Sequence, residues 1–384
     1  MKRATVLPLL LIFLSPIFAQ EETLLLNAES AVLVGIDSKQ VLFEKNGERI
    51  CPPASMTKLV TAYTAMRLWE NRGWDLDRRF LVPPAADFRA APPHSSLMFL
   101  QAGQIVSLKE LLCGLMIPSG NDAAVAVALL TVGSVEAFVL EMNRTMESLG
   151  FGNCQFADAS GYSPQNRISP REFAFFCIEL IQKYPVIAET ASLPSFTYPQ
   201  PHNLNGTAAV YGFVRQINHN EIIGAFSGAV GLKTGYIDAS GNNVALTAER
   251  DGTRFAAVLT GIRDEDGNRR SRKRTVDGTA LLSHAFSTFA DYRFIFPPFF
   301  DTDGTPMHPS ETVVTLEKTA IGAVSIERRG DRLIFMQEQR PVKVILLEKP
   351  PLVTPGKSVH PKFYPFKTKK KFDFDPLTKY ININ

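Results

Sequence analysis

The sequence predicts an α/β (α+β) fold, with one mixed sheet built from both ends of residues 24–294 and a helical region inserted between them. Three observations predict it. Apolar, β-branched runs stand at the start, Ala31 to Ile36 and Val41 to Glu44. Runs of helical period fill the middle, from Ser55 to Lys183. Extended apolar runs return after residue 225. Shorter ones follow Pro297-Pro298, which predicts a small all-β C-terminal domain over 297–384.

The first nineteen residues read as a cleaved signal peptide: Lys2 and Arg3, an apolar core from Val6 to Phe13, then Ile17-Phe18-Ala19 ending on a small residue. That core is short for a membrane span, and export to the periplasm or the outer face of the cytoplasmic membrane follows. Asp37-Ser38-Lys39-Gln40 joins the first two runs into a hairpin. Pro52-Pro53 ends the extended chain and opens a helix over Ser55–Asn71, where a first-turn proline loses no hydrogen bond. Leu108–Met116 is a second helix, with Ser107 and Glu110 placed for a capping box. Further helices are expected over Asp122–Leu130, Val135–Leu149, Pro170–Lys183 and about Thr275–Phe289. Gly228–Lys233, Asn243–Ala248 and Phe255–Thr260 read as strands, the last two flanking the hairpin turn Asp251-Gly252. Beyond Pro297-Pro298, strands are expected at Thr312–Leu316, Ile321–Glu327, Arg332–Met336 and Val342–Leu347.

The 384 residues carry a formal net charge of only +3, too balanced to argue for nucleic-acid binding. The four cysteines, Cys51, Cys113, Cys154 and Cys177, lack Cys-x-x-Cys spacing and are expected as buried thiols; the six histidines show no metal-ligand pairing. No cofactor is implied. The tail mixes Lys367, Lys369, Lys370 and Lys371 with Phe363, Tyr364, Phe366, Phe372 and Phe374. A solvated terminus explains this; the sharper expectation is contact with an anionic membrane or wall surface.

Three short motifs carry chemistry. Ser55 and Lys58 are three apart and share one helix face. A serine hydroxyl needs a base within hydrogen-bond reach, and a lysine serves when burial lowers its pKa. Alone the pair says little, since on the order of one or two Ser-x-x-Lys matches occur in any chain this long. Ser119-Gly120-Asn121 lies between two helices, where a helix cap is the ordinary reading; the chemical one has Ser119 relay a proton and Asn121 hold the Lys58 ammonium and a substrate amide. Lys233-Thr234-Gly235 stands at the end of an extended segment. There a cation and a hydroxyl suit a carboxylate, and a glycine lets the substrate approach the backbone.

In this order, Pro53-Ala54-Ser55-Met56-Thr57-Lys58-Leu59, Met116-Ile117-Pro118-Ser119-Gly120-Asn121-Asp122-Ala123-Ala124 and Gly231-Leu232-Lys233-Thr234-Gly235-Tyr236 resemble the low-molecular-mass penicillin-binding proteins of the serine-type D-alanyl-D-alanine carboxypeptidase family. The resemblance implies the penicillin-binding/serine β-lactamase-like transpeptidase fold over 24–294. It implies hydrolysis of the terminal D-Ala-D-Ala bond of peptidoglycan pentapeptides through a Ser55 acyl-enzyme, and inhibition by β-lactams. Lys58 would be the base, Ser119 and Asn121 would complete the cleft, and Lys233 and Thr234 would receive the terminal carboxylate. The Ser55 and Tyr236 N–H groups would form the oxyanion hole beside Gly235.

This chain departs from the family pattern in two places. Tyr236 stands where histidine is frequent, and Asn218-His219-Asn220 stands in place of Asn-Arg-Asn. Arg274 resembles a second arginine of that region. These departures bear on carboxylate binding and turnover more than on acylation. Asp158 and Gly161 fall in a loop resembling the family's segment before the last cleft helix, with no catalytic role assigned. A DD-endopeptidase would carry the same motifs. A β-lactamase would need a Glu-x-x-Leu-Asn segment, which is missing. A non-enzymatic penicillin-binding wall protein would need no Ser55–Lys58 pair.

Overall fold

The computed structural model describes residues 24–263, 272–295, 311–319, 324–329, 332–346 and 362–365. The signal peptide, the Pro297-Pro298 boundary and the lysine-rich tail beyond 365 lie outside them.

The chain begins with the hairpin β1 (Ser30–Gly35) and β2 (Val41–Lys45). A single 3-10 turn, Ala54–Met56, then leads into α1 (Thr57–Asn71), so Ser55 sits in the turn and not in the helix proper. β3 (Arg79–Leu81) and β4 (Ile105–Ser107) pair as a small ribbon. The helical block continues with α2 (Leu108–Met116), α3 (Asn121–Val132), α4 (Val135–Ser148), α5 (Pro170–Lys183) and α6 (Pro185–Ser192). The expected capping box at Ser107 and Glu110 is present. A second ribbon, β5 (Ser195–Tyr198) with β6 (Val214–Ile217), and the short α7 (Ile222–Ala225) precede β7 (Ala229–Ile237), β8 (Gly241–Arg250) and β9 (Thr253–Ile262). α8 (Arg272–Thr288) follows.

The main sheet has the order β2-β1-β9-β8-β7. It mixes strands from the two ends of the segment, and each of its pairings is antiparallel, because hairpins make three of them and β1 meets β9 head to tail. Side chains alternate across a strand. Val32, Val34, Ala256 and Val258 join the core of α1–α6, while Ala31, Leu33, Ala257 and Leu259 pack with Leu281, Leu282 and Ala285 of α8. Burial on both faces explains why these strands appear in the sequence as nearly unbroken apolar runs. α1 lies within the helical block, with Lys58 to Ala65 all buried, so its N-terminal turn is held against the end of the sheet. Each fully buried aliphatic side chain contributes about 1.5–3 kcal/mol, which makes this a rigid support for the turn.

The expected final helix ends at Thr288, one residue early, and Phe289 opens β10 (Phe289–Ile295). β10 pairs with β11 (Glu311–Glu317) and later with β15 (Lys362–Pro365). Between these come β12 (Val324–Arg329), β13 (Arg332–Gln337) and β14 (Arg340–Leu346), a second sheet. Of the strand expected over Ile321–Glu327, the described residues are Val324–Glu327, and they lie in β12. Tyr292, Phe294, Val314, Leu316, Leu333 and Phe335 form a small separate core. Gln40 in the β1–β2 turn ties it to the main sheet: its Nε2 donates to Thr315 O at 3.0 Å and Val342 O at 2.9 Å, and its Oε1 accepts from Thr315 N at 2.8 Å.

Candidate active site

The first two motifs meet at the start of α1. Lys58 is fully buried, and its Nζ donates to Ser55 Oγ at 3.0 Å, Asn121 Oδ1 at 2.8 Å and Ser160 O at 2.6 Å. Burial pulls the Lys58 amine down to about 7, against the opposing pull of the Asp158 and Asp122 carboxylates. About half of such amines are neutral near pH 7; in that form two N–H groups serve Asn121 Oδ1 and Ser160 O, and the lone pair can take the proton of the Ser55 hydroxyl.

The Ser160 carbonyl was not singled out from the sequence. It is set by the Asp158 loop, in which Asp158 Oδ1 accepts from Ser160 N, Ser160 Oγ and Gly161 N, each within 3.0 Å. Gly161 has φ +85°, and a Cβ there would meet the carbonyl of Ala54, so only glycine lets this loop pass behind the Ser55 turn. The one available signal was the Asp-x-x-Gly pattern of Asp158 and Gly161.

Ser119 lies in the turn between α2 and α3 with φ +61°, and its Oγ is buried without a hydrogen-bond partner among the described residues. Asn121 is the first residue of α3; its Nδ2 donates to Ser95 Oγ at 3.0 Å. Both residues line a cleft of about 840 Å³, together with Ser55, Thr234, Gly235 and Tyr236.

Lys233-Thr234-Gly235 lies inside β7, not at a strand end, because the strand continues through Tyr236 to Ile237. β7 is the edge of the main sheet. A Cβ on Gly235 would stand 2.9 Å from Ser55 N, so strand and nucleophile turn touch main chain to main chain. Thr234 lines the cleft, and Lys233 is buried and donates to Thr234 O at 3.0 Å. Burial, then the charges of Lys58 and Arg274, push the Lys233 amine well below its ordinary range. Arg274, anticipated by resemblance alone, does line the cleft, donating to Asn242 Oδ1 at 3.3 Å and His219 O at 3.2 Å. His219 thus holds Arg274 through its carbonyl. Tyr236 also faces the cleft, and its hydroxyl donates to Asp238 Oδ1 at 2.7 Å. The Arg274 guanidinium on the lining of the cleft suits an anionic substrate group there.

The four cysteines are free thiols; Cys113, Cys154 and Cys177 are buried, while Cys51 is only half-buried at its isolated bridge to Ile168.

Comparison with known proteins agrees with this geometry. A family model described as D-alanyl-D-alanine carboxypeptidase matches residues 18–263. D-alanyl-D-alanine carboxypeptidase DacF of Bacillus subtilis (strain 168) is 30% identical over 264 residues, covering 68% of this chain and 63% of that protein. D-alanyl-D-alanine carboxypeptidase DacA of Escherichia coli (strain K12) is 32% identical over 271 residues, covering 69% of this chain and 62% of that protein. The matched region thus spans a little under two thirds of these relatives. Among solved structures, penicillin binding protein 5 from Haemophilus influenzae superposes with a TM-score of 0.73 over 85% of this chain and 98% of that one; at 21% identity it speaks to the fold. Penicillin binding protein 6B from Escherichia coli gives a TM-score of 0.69 at 26% identity, covering 84% of this chain and 95% of that one. With the family model spanning more than half of its length, the chain belongs to the D-alanyl-D-alanine carboxypeptidase family of serine peptidases.

Proposed function

We propose that this protein is a serine DD-carboxypeptidase that removes the terminal D-Ala from peptidoglycan pentapeptides and is acylated by β-lactams. The observation that carries the reading is the buried Lys58 amine, held near pKa 7 and 3.0 Å from Ser55 Oγ. Ser55 Oγ attacks the carbonyl carbon of the penultimate D-Ala while Lys58 takes its proton. The N–H groups of Ser55 and Tyr236 hold the developing oxyanion. The Ser119 hydroxyl relays a proton to the leaving amine, the D-Ala departs, and an ester to Ser55 remains. Water then adds to this ester, giving the shortened peptide and restoring the hydroxyl. Asn121 keeps Lys58 in register and meets a substrate amide. Thr234, backed by the charges of Lys233 and Arg274, receives the terminal carboxylate, and the β7 edge offers main-chain hydrogen bonds to the extended peptide.

Residues 1–19 export the chain, 24–294 carry the chemistry, and 297–384 form a β-rich domain whose basic tail meets an anionic membrane or wall surface. The test is covalent labelling by a fluorescent penicillin together with mass-spectrometric detection of D-Ala release from a pentapeptide. Both are expected for wild type and neither for Ser55→Ala. A folded wild-type protein that takes no label refutes the reading.

A further inference from the structure

Asp122 follows Asn121 on α3 and is 2% exposed. Its carboxylate is spent on main chain: Oδ1 accepts from Met98 N at 2.8 Å and Ala123 N at 2.9 Å, and Oδ2 accepts from Leu100 N at 3.0 Å. The segment it clamps is not regular. Phe99 has φ +66°, which an L-residue adopts only where its surroundings impose it. The same segment meets the neighbouring catalytic loop at further points. Asn121 N donates to Ser96 O at 2.8 Å, and Asn121 Nδ2 donates to Ser95 Oγ at 3.0 Å. Gly120 is packed so closely that a Cβ there would stand 2.7 Å from Asp122 Oδ1 and 2.9 Å from Met98 N. Ser96 and His94 carry this segment into the cleft wall.

We infer that Asp122 is a positioning residue for acylation: it ties the cleft wall at Ser96–Leu100 to the loop bearing Ser119 and Asn121, and supplies a buried negative charge to the Lys58 amine. The inference rests on the proposed Ser55 chemistry. Burial pushes the Asp122 carboxyl upward, and the N–H groups of Met98, Leu100 and Ala123 pull it back. Both oxygens accept from donors, so the ionised form fits the site and a protonated one does not. The charged groups acting on Lys58 are Asp158 and Asp122, which favour its ammonium form, while the Lys58 charge in turn pushes the Lys233 amine down. Removing the Asp122 charge therefore lowers the Lys58 pKa further. Because the base acts as the neutral amine, the acid limb of the acylation rate moves to lower pH.

The test compares Asp122→Asn, Gly120→Ala and wild type by the second-order rate of labelling with a fluorescent penicillin across pH 5–9, with melting temperatures recorded (the pH range chosen to bracket about 7). In Asp122→Asn the new amide NH2 faces main-chain N–H donors and the charge is gone. Labelling on the pH plateau is expected to slow about tenfold or more, and the acid limb to shift to lower pH. Gly120→Ala presses on the same clamp but keeps the charge, so it is expected to slow labelling with the limb unmoved. A folded Asp122→Asn with wild-type labelling, or with its limb where wild type has it, overturns the inference. Should Asp122→Asn not fold, Gly120→Ala decides: wild-type labelling in it overturns the inference, and slowed labelling on an unmoved limb sustains it. Wild type that takes no label refutes instead the proposed function on which both rest.

Discussion

Gly235 and Ser55 touch through their main chains. A Cβ on Gly235 would stand 2.9 Å from Ser55 N and 2.6 Å from Pro53 O. The sheet edge and the nucleophile turn therefore form one rigid surface. Both sides are backbone, so neither can rotate out of the way of an added methyl group. Gly235→Ala is expected to push β7 off the turn, cost about 1–3 kcal/mol in stability, and slow acylation of Ser55 about 100-fold. Urea unfolding and penicillin labelling read the two effects separately. A variant that unfolds like wild type and labels at the wild-type rate would remove Gly235 from the mechanism.

Lys58 supplies a second prediction, in which rate and stability share one cause. With its amine near 7, the acylation rate is expected to rise with pH through an acid limb near that value and then level off. Lys58→Met is expected to lose about a thousandfold or more in labelling while remaining folded, since methionine fills much of the same buried volume without a charge. The linkage has a definite sign. The folded-state pKa is lower than the ordinary 10.5, so between about 7 and 10.5 the unfolded chain holds the extra proton. Stability from this group is fully present above that window and is lost as pH falls through about 7. Melting temperature should rise from pH 7 to pH 9 in wild type and rise less in Lys58→Met. Lys233 is shifted in the same direction, so the slope shrinks without vanishing. Equal slopes in the two proteins would contradict the burial argument.

Asp291 gives a prediction outside the cleft, where β10 meets β11. Its Oδ1 accepts from Thr315 Oγ1 at 2.5 Å, while its Oδ2 is buried without a partner among the described residues. Burial pushes this carboxyl up to about 6. A raised acid binds its proton more tightly in the folded chain. Its contribution is therefore full below about pH 4 and is lost as pH rises through about 6. Asp291→Asn keeps the shape and drops the charge, so it is expected to stabilise the fold at pH 7 by on the order of 2 kcal/mol. The gain should fade at pH 4. A stability difference that is the same at both pH values would mean that the carboxyl is not the titrating cause.

The sequence carried the local chemistry further than the three-dimensional pairing. Ser55, Lys58 and Asn121 could be brought together because helical spacing and a motif order each imply proximity, and their distances fall within hydrogen-bond range. The capping box at Ser107 was legible because it depends on residues only three apart. What stayed hidden depends on main chain meeting main chain across the fold. The Ser160 carbonyl carries no sequence signature as an acceptor, and the approach of Gly235 to Ser55, which spans the whole helical region, was anticipated through the family resemblance alone. The short ribbons β3–β4 and β5–β6 were also missed, since strands of three or four residues with mixed burial give no periodic signal. Lys233 shows a third limit. Its type and position suggested contact with a substrate carboxylate, but nothing in the sequence showed that the amine would be almost fully buried, with a hydrogen bond to Thr234 O.

Ser119 combines two costs that a purely structural residue would not retain. Its backbone is left-handed at φ +61°, a conformation that costs a non-glycine residue about 1–2 kcal/mol, and its hydroxyl is buried without a hydrogen-bond partner among the described residues. A helix-capping serine would show a bonded hydroxyl in an extended backbone, as Ser107 does at α2. The proposed relay accounts for both features, because a hydroxyl free in the cleft is available to a leaving amine. Ser119→Gly relieves the strain and removes the orphan group. It is expected to raise stability by about 1 kcal/mol and to slow acylation about 100-fold. Ser119→Ala removes the hydroxyl but keeps the strained backbone, so it should slow acylation as much with little gain in stability. Thermal melting and penicillin labelling of the two variants separate the backbone contribution from the hydroxyl contribution. If Ser119→Gly is stabilised yet labels like wild type, the hydroxyl carries no proton, and the left-handed turn is there for the placement of Asn121 alone.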